Sequence, residues 1–164
     1  MILTTPRLTL RPATMADFDA YAACLATDRA RYMDGPHDRA KAWDWFCNDR
    51  AQWALLDMGG LIIERQGRAM GQVAVCGGPH YPEVELGWFL FDAADDGQGV
   101  AFEAAAALRD WALGPRGLTT LVSYIDPDNM PSRRLAERLG AVIDPDAATP
   151  GNGPTLVYRI GMST

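Results

Sequence analysis

The sequence has no uninterrupted apolar run approaching the roughly 18 residues that a membrane span needs. Its beginning, MILTTPRL, also lacks the apolar core of a secretory signal. Both absences favour a cytoplasmic protein that does not enter a membrane. Of its 164 residues 48% are hydrophobic, which is enough to bury a substantial core. We therefore expect one domain over residues 1–164.

Cysteine and positive charge are both scarce. The three cysteines, Cys24, Cys47 and Cys76, form no C-x-x-C pair and lie near no histidine cluster, so we expect reduced, mostly buried thiols and no metal site. The formal net charge is -6. Nucleic-acid binding depends on concentrated lysine and arginine, so we expect no nucleic-acid partner. A negatively charged ligand would have to be held by a local feature of the chain.

Apolar residues recur at alternating or helical spacings along the chain, which predicts a mixed α/β domain. Thr14 and Asp17 have the spacing of a helix-capping pair, and a second helix is predicted over residues 38–53. Further helices begin near Gly99 and span residues 129–140. The predicted strands are residues 7–12, 61–64, 70–75, 84–91, 119–125, 141–144 and 155–160. The strand at 84–91 is apolar on nearly every side, so it should lie near the centre of the sheet.

The second predicted helix carries an unusual aromatic load: Trp43, Trp45, Phe46 and Trp53. Aromatic residues at helical spacing usually pack against a core, and here they would pack against the sheet. The other interpretation is that they form the wall of a substrate pocket. Trp45 is out of phase with the other three, so we expect it to be the exposed one.

The stretch DDGQGVAFEAAAALRDWAL, at 95–113, places Gly97 and Gly99 directly before an alanine-rich helix. The first N–H groups of a helix have no partner within the helix and carry partial positive charge, so they suit a phosphate group. Glycine also lacks the Cβ atom that would block a close approach. The residues alone leave two interpretations open, an anion cradle and a plain turn.

Two other glycine-rich phosphate sites do not fit this stretch. A P-loop needs lysine and then serine or threonine after its second glycine, and Val100 and Ala101 stand there. A dinucleotide-binding fingerprint needs a third glycine where Phe102 stands. Both are excluded.

These segments resemble the GNAT superfamily of N-acetyltransferases, in the branch similar to the ribosomal-protein N-terminal acetyltransferases. The resemblance covers nearly the whole chain, through TPRLTLRP, VELGWFLF, DGQGVAFEA, DPDNMPSRRLAERLGA and LVYRI. It implies a single GNAT-like α/β domain whose mixed, mostly antiparallel sheet has about six to seven strands flanked by helices. A splayed pair of strands would form the acetyl-CoA cleft. The implied activity is transfer of acetyl from acetyl-CoA to a primary amine, without a metal.

The resemblance assigns the pyrophosphate of acetyl-CoA to the glycine stretch. Its main-chain amides would come from Gln98, Gly99, Val100 and Ala101, and Gly97 would allow the approach. The family's motif begins with arginine or glutamine, whereas this chain has Asp96 there, preceded by a second acid, Asp95. We expect the amides to outweigh the two carboxylates if these point to solvent, at a cost in affinity relative to the family.

The resemblance also places the pantetheine arm between the strands VELGWFL and TTLVSYI, where it would pair with free main-chain groups like an added strand. A main-chain N–H near Phe89 or Leu90 would polarise the thioester carbonyl. Asn129 and Ser132 match the family's CoA-contacting asparagine and the serine near the sulfur. Asn129 could equally cap the helix that follows it, and both roles are compatible.

An attacking amine must lose a proton, so the reaction requires a base. Glu85, on the central strand beside the expected gap, is the first choice, with a structural carboxylate as its alternative. The other candidates are Tyr124, Glu103, Asp126 and His80. Glu103 suits a helix N-terminus, Asp126 precedes a proline in a turn, and His80 lies in a loop, so a structural role is favoured for each. Tyr124 could instead donate a proton to the leaving sulfur.

Two departures from the family remain. Many members carry a tyrosine general acid where this chain has Ala136, so Ser132, Tyr124 or water must take that role. The phenylalanine that usually follows the glycine after this helix is Ala141. These departures, with Asp96, leave a non-catalytic acyl-CoA-binding module as the alternative function. The acceptor, either a peptide or protein N-terminus or a small amine, and the choice between monomer and homodimer stay open.

Overall fold

The computed structural model describes residues 1–151 and 153–161. The described residues form four α-helices and eight strands. The helices are α1 (Phe18–Leu25), α2 (Arg39–Leu56), α3 (Val100–Leu113) and α4 (Met130–Arg138). The strands are β1 (Leu3–Thr4), β2 (Thr9–Arg11), β3 (Gly60–Arg65), β4 (Arg68–Cys76), β5 (Glu85–Leu90), β6 (Thr120–Ile125), β7 (Val142–Ile143) and β8 (Leu156–Gly161).

All eight strands belong to one sheet in the order β1-β2-β3-β4-β5-β6-β8-β7. Every neighbouring pair is antiparallel except β5 and β6, which are parallel. The prediction of a mixed, mostly antiparallel sheet is confirmed, and β5 is central as expected. The count of about six to seven strands was slightly low, because β1 has only two residues and is too short to show alternation.

The helices cover the sheet on its two faces. Leu86 and Leu90 of β5 belong to the same buried cluster as Ala104 and Leu108 of α3. Phe89, which alternates with them, instead packs on the cluster formed by α1 and α2. Successive side chains of a strand point to opposite faces. Helices α1 and α2 therefore cover one face of β5, and α3 covers the other.

Thr14 and Asp17 form the predicted capping box, in which each residue's side chain pairs with the main chain of the other. The box caps a short 3-10 turn, Met15–Asp17, that leads directly into α1. Asp17 is buried, and Arg11 donates two hydrogen bonds of 2.8 Å to its carboxylate. The capping residues therefore tie the start of α1 to β2.

The aromatic residues of α2 divide between the core and a cavity. Phe46 is buried against Tyr21, and Trp53 donates a hydrogen bond of 2.9 Å from its indole to the carbonyl of Gly60. The expectation that Trp45 is the exposed member was wrong: Trp43 is 41% exposed, whereas Trp45 is half-buried. The face of α2 that is out of phase with the core faces the cavity rather than bulk solvent, so Trp45 is covered there.

Strands β5 and β6 pair only where they begin and then diverge. Their one registered pair is Glu85 with Val122, and the Val122 N–H donates to the carbonyl of Val84 at 3.0 Å. One step further, the buried hydroxyl of Ser123 donates to the carbonyl of Leu86 at 2.6 Å. This side-chain bond replaces a ladder bond at the fork. The splayed pair expected from the sequence is present.

Candidate active site

A cavity of about 890 Å³ lies where β5 and β6 diverge, on the face covered by α1 and α2. Its floor is built from the side chains of β4 and β5 that share this face. The registered pairs here are Gln72 with Phe89, Ala74 with Gly87, and Cys76 with Glu85. The middle pair has almost no side-chain volume, and a Cβ atom added to Gly87 would lie 3.9 Å from Oε1 of Glu85. Ala74 and Gly87 therefore leave open space beside the Glu85 carboxylate.

Glu85 has the environment of a base that works near neutral pH. Burial, and then the negative charge of Asp49, raise the pKa of Glu85 to about 7. A carboxyl group with such a pKa is part ionised at pH 7 and can accept a proton. Glu85, the base predicted from the sequence, therefore lies in the floor of the cavity, and its pKa lies near neutral pH.

Asp49 of α2 is a second carboxylate in the cavity, and it was missed from the sequence. Gln72 Nε2 donates a hydrogen bond of 2.6 Å to its Oδ2, and Cys76 Sγ lies 3.8 Å from its Oδ1. Burial raises the pKa of Asp49 to about 6. The available signal was helical spacing, because Trp45, Asp49 and Gln52 follow one another at i, i+4 and i+7. All three line the cavity.

The residues predicted near the sulfur also line this cavity. Tyr124 Oη accepts a hydrogen bond of 3.2 Å from the main-chain N–H of Glu83, and burial raises the pKa of Tyr124, so its proton is retained at neutral pH. Asn129 Oδ1 caps α4 by accepting from the N–H of Ser132 at 3.3 Å. The cavity lining also includes Asp126, Asn129, Ser132 and the exposed His80.

Glu103 lies apart from this group. It accepts hydrogen bonds from the hydroxyl of Thr5 at 2.5 Å and from Nε of Arg7 at 2.6 Å. These contacts join the start of α3 to the segment that leads into β2. The structural role favoured for Glu103 therefore fits its position, and it is no neighbour of Glu85 in the cavity.

The glycine stretch ends in the cap of α3. Gly97 and Gly99 have φ of +74° and +76°, a region that favours glycine, and Gly99 is the N-cap residue. Val100 begins the helix, so the free amides of its first turn follow the two glycines. Arg7 Nη1 donates to the carbonyl of Gln98 at 3.1 Å. A Cβ atom added at Gly97 would contact nothing within 4 Å, whereas one at Gly99 would lie 3.3 Å from Nη2 of Arg7, so the loop is a helix N-terminus with open space beside Gly97.

Both acids ahead of this loop are paired with arginine. Arg68 donates hydrogen bonds of 2.9 and 2.6 Å to Asp95, and Arg29 donates bonds of 3.0 and 2.9 Å to Asp96. The guanidinium of Arg68 lowers the pKa of Asp95, which is buried. The expected solution, in which the carboxylates point to solvent, was therefore wrong for Asp95. Two-point pairs with arginine, rather than hydration, offset both charges.

The main-chain groups of β5 face the gap at alternate residues, and of these the carbonyl of Leu90 already accepts from Nε of Arg29 at 3.0 Å. The Leu86 carbonyl faces β6, where Ser123 binds it. The alternation of a strand places the peptide groups of Trp88 and Leu90 on the same side and those of Phe89 on the β4 side, opposite Gln72. Of the two amides predicted for the thioester, the one at Leu90 suits the gap better, and Trp88 joins it.

The two family departures in and after α4 are core positions. Ala136 is fully buried and Ala141 is 5% exposed, and both belong to the same buried cluster as α3. Neither lines the cavity among its described residues. The small side chain of Ala141 therefore leaves the cavity lining unchanged, and Ala136 takes a core position in place of the family's tyrosine.

A glycine-capped helix start, a forked strand pair and a carboxylate with a raised pKa in one mixed sheet are the features expected of an acyl-CoA-dependent acyltransferase. Consistent with that class, the model of the acetyltransferase (GNAT) domain matches residues 7–142, and the chain belongs to this family. GNAT enzymes take the acetyl group from acetyl-CoA, so acetyl-CoA is the acyl donor here. The loop and the gap described above fit that cosubstrate.

Solved structures and a curated protein resemble the chain to different extents. An acetyltransferase from Agrobacterium tumefaciens is 44% identical with a TM-score of 0.95, covering 99% of this chain and 95% of that one. A ribosomal-protein-serine acetyltransferase from Vibrio cholerae shares the fold, with 22% identity, a TM-score of 0.76 and coverage of 98% and 97%. The L-2,4-diaminobutyric acid acetyltransferase of Streptomyces coelicolor is 36% identical over 95 residues, 51% of this chain and 56% of that protein. The match thus spans little more than half of this curated relative.

Residues 1–151 and 153–161 hold neither a candidate metal cluster nor a membrane-spanning helix. These residues contain no group of three or more His, Cys, Asp or Glu side chains placed to hold a metal ion. Within the same ranges, no helix is both long and apolar enough to cross a membrane.

Proposed function

We propose that the protein transfers the acetyl group of acetyl-CoA to a primary amine by direct attack of the amine on the thioester. The acceptor is a peptide or protein N-terminus or a small-molecule amine. The observation that carries this proposal is the position of Glu85, a carboxylate with a pKa of about 7 in the floor of the cavity at the strand fork. The name of the Streptomyces relative, which refers to a diamino acid, agrees with an amine acceptor.

The glycine loop binds the pyrophosphate in this proposal. The amides of Gln98, Gly99, Val100 and Ala101 donate to it, and Gly97 leaves the approach open. Hydrogen bonds to a charged group contribute about 1.5–3 kcal/mol each. The arginine partners of Asp95 and Asp96 keep the two carboxylates from opposing this binding.

Glu85 accepts the proton that the amine loses as its nitrogen bonds to the carbonyl carbon, directly or through a water molecule. The main-chain amide at Leu90, or that at Trp88, donates to the carbonyl oxygen while it is negatively charged. The carbon–sulfur bond then breaks. Tyr124 or Ser132 supplies a proton or a hydrogen bond to the departing thiolate, and Asn129 holds the start of α4 beside it.

The test is an amine panel with the purified protein. Free thiol release from acetyl-CoA is measured against amine concentration, and mass spectrometry identifies the acetylated product. We expect saturable release and an N-acetyl product with at least one primary amine. Calorimetric binding of CoA without thiol release on any amine would contradict the proposal and favour the non-catalytic module.

A further inference from the structure

The cavity contains a buried hydroxyl, that of Tyr21, which has no role in the reaction proposed above. The side chain of Tyr21 is fully buried, lines the cavity, and its Oη has no hydrogen-bond partner among the described residues. A buried hydroxyl left unpaired costs about 1–3 kcal/mol. A ligand that hydrogen-bonds to Tyr21 would recover that cost.

Asp49 and Gln72 line the same cavity as this hydroxyl. Burial, followed by the negative charge of Asp49, raises the pKa of Tyr21. The Tyr21 ring packs 5.5 Å from the ring of Phe89, whose strand partner Gln72 donates to Asp49. Tyr21, Asp49 and Gln72 thus form one polar group on the floor, which we term the distal subsite. An ammonium group, with three donors, matches its carboxylate and phenol oxygens.

The charged residues that line the cavity are acids. No lysine or arginine occurs among the described lining residues, and Tyr32, Trp45 and Tyr81 add aromatic faces that can bind a cation. The lining acids are Asp34, Asp44, Asp49, Glu85 and Asp126. The cavity therefore favours a ligand with positive charge and without a negative group.

We propose that the acceptor carries two amino groups, one of which binds as an ammonium ion at the distal subsite while the other faces Glu85. This inference rests on the proposed function and narrows its acceptor to a small diamine or longer polyamine. Cys76 lies opposite Glu85 on the neighbouring strand, and its Sγ is 3.8 Å from Asp49. Neighbouring strands are about 5 Å apart, so a spacer of a few methylene groups reaches from one carboxylate to the other.

Matched pairs of amines test the inference with the wild-type protein. Each α,ω-diamine with three to six carbons is compared with the linear monoamine of the same carbon number, at saturating acetyl-CoA. We expect a KM at least about tenfold lower for the diamine at the best length, because only the diamine reaches both carboxylates. The best length reports the distance between the two sites.

Variants of the distal subsite separate binding from chemistry. In Asp49→Asn and, to a smaller extent, Tyr21→Phe, the KM ratio of monoamine to diamine should fall towards one. Glu85→Gln should instead lower kcat for both amines. Asp19→Asn is the matched control, since it removes the same charge from an exposed position on α1 and should leave the ratio unchanged. Calorimetric titration with CoA verifies that each variant folds.

Equal KM values for the two amines in the wild type would overturn the diamine inference while leaving amine acetylation in place. An equal effect of Tyr21→Phe and Asp49→Asn on both amines would do the same. If CoA binds but no amine of either kind is acetylated, the proposed function itself fails. The wild-type comparison and Tyr21→Phe still decide the inference if Asp49→Asn does not fold.

Discussion

At the scale of single residues, the protonation of Glu85 should set the pH dependence of the rate. Its pKa of about 7 means that the base form is gained as pH rises through neutrality. We predict that kcat/KM of the wild type rises with pH and levels off above about pH 8. Glu85→Gln should lose about 10²–10⁴-fold in rate, the usual contribution of a general base, and should lose this rise as well.

Calorimetry with CoA is the control for that variant, because the amides of the glycine loop do not depend on Glu85. Its CoA affinity should equal that of the wild type. An unchanged pH profile in a folded Glu85→Gln protein would eliminate Glu85 as the base.

The same carboxyl group should cost stability. Folding raises the pKa of Glu85 from 4.5 to about 7, so the folded state binds the proton more tightly and its stability falls as pH rises between these values. Glu85→Gln has no such charge to bury, and we predict that it is more stable than the wild type at pH 8 by about 1–3 kcal/mol. Urea unfolding at pH 4.5 and pH 8 measures the difference, which should be small at the lower pH. If the wild type and Glu85→Gln had equal free energies of unfolding at both pH values, the carboxylate of Glu85 would be hydrated in the folded protein.

The sequence could not predict which residues of the site pair with each other when they lie far apart along the chain. Arg29 and Asp96 are 67 positions apart, and Arg68 and Asp95 are 27 apart, so no spacing rule joins them. Asp49 was within reach of helical spacing, yet its meaning depends on Gln72 of a different element. Glu85, by contrast, could be predicted because its own strand carries it to the fork.

At the scale of elements, the helix start after Gly99 should be sensitive to any added side chain. We predict that Gly99→Ala weakens CoA binding by about tenfold or more, because its Cβ would lie 3.3 Å from Nη2 of Arg7, which holds the Gln98 carbonyl, and φ of +76° strains the loop. Titration calorimetry with CoA measures the loss.

Gly67→Ala is the matched control. Gly67 has φ of +77° in the turn between β3 and β4, and a Cβ atom there would contact nothing within 4 Å. Both variants carry similar backbone strain, so both should melt at a lower temperature, but only Gly99→Ala should lose CoA affinity. Equal CoA affinities in the two variants would place the pyrophosphate elsewhere.

The elements themselves were largely predictable because each has a period of its own. Apolar patterns and the turns between them identified seven of the eight strands, and α2 was predicted at 38–53 against the observed Arg39–Leu56. The fork between β5 and β6 came from the family resemblance and not from periodicity. The bond at the fork, from the hydroxyl of Ser123 to the carbonyl of Leu86, joins residues 37 positions apart.

At the scale of the whole molecule, positively and negatively charged residues lie at different places: arginines surround the glycine loop, and acids line the cavity. The net charge is -6, yet Arg7, Arg29, Arg65 and Arg68 all contact the glycine loop or the acids beside it. The cavity where β5 and β6 diverge is lined by acids. Three of these arginines are paired with Glu103, Asp96 and Asp95, so the positive charge left at the loop is that of Arg65 and of the helix start, which faces the anionic acetyl-CoA. The proposed amine acceptor, a cation, would meet the acids of the cavity.

The salt dependence of KM can therefore show whether substrate binding follows the charges beside each site or the net charge of the protein. The screening length falls from about 30 Å at 10 mM salt to about 10 Å at 100 mM. We predict that KM rises severalfold over this range for both substrates, because both attractions are screened. If the net charge governed binding, KM for acetyl-CoA would fall with salt while KM for the amine rose. Arg29→Gln should reduce the salt dependence for acetyl-CoA and leave that for the amine unaltered, which assigns the attraction to the loop rather than to the molecule's total charge.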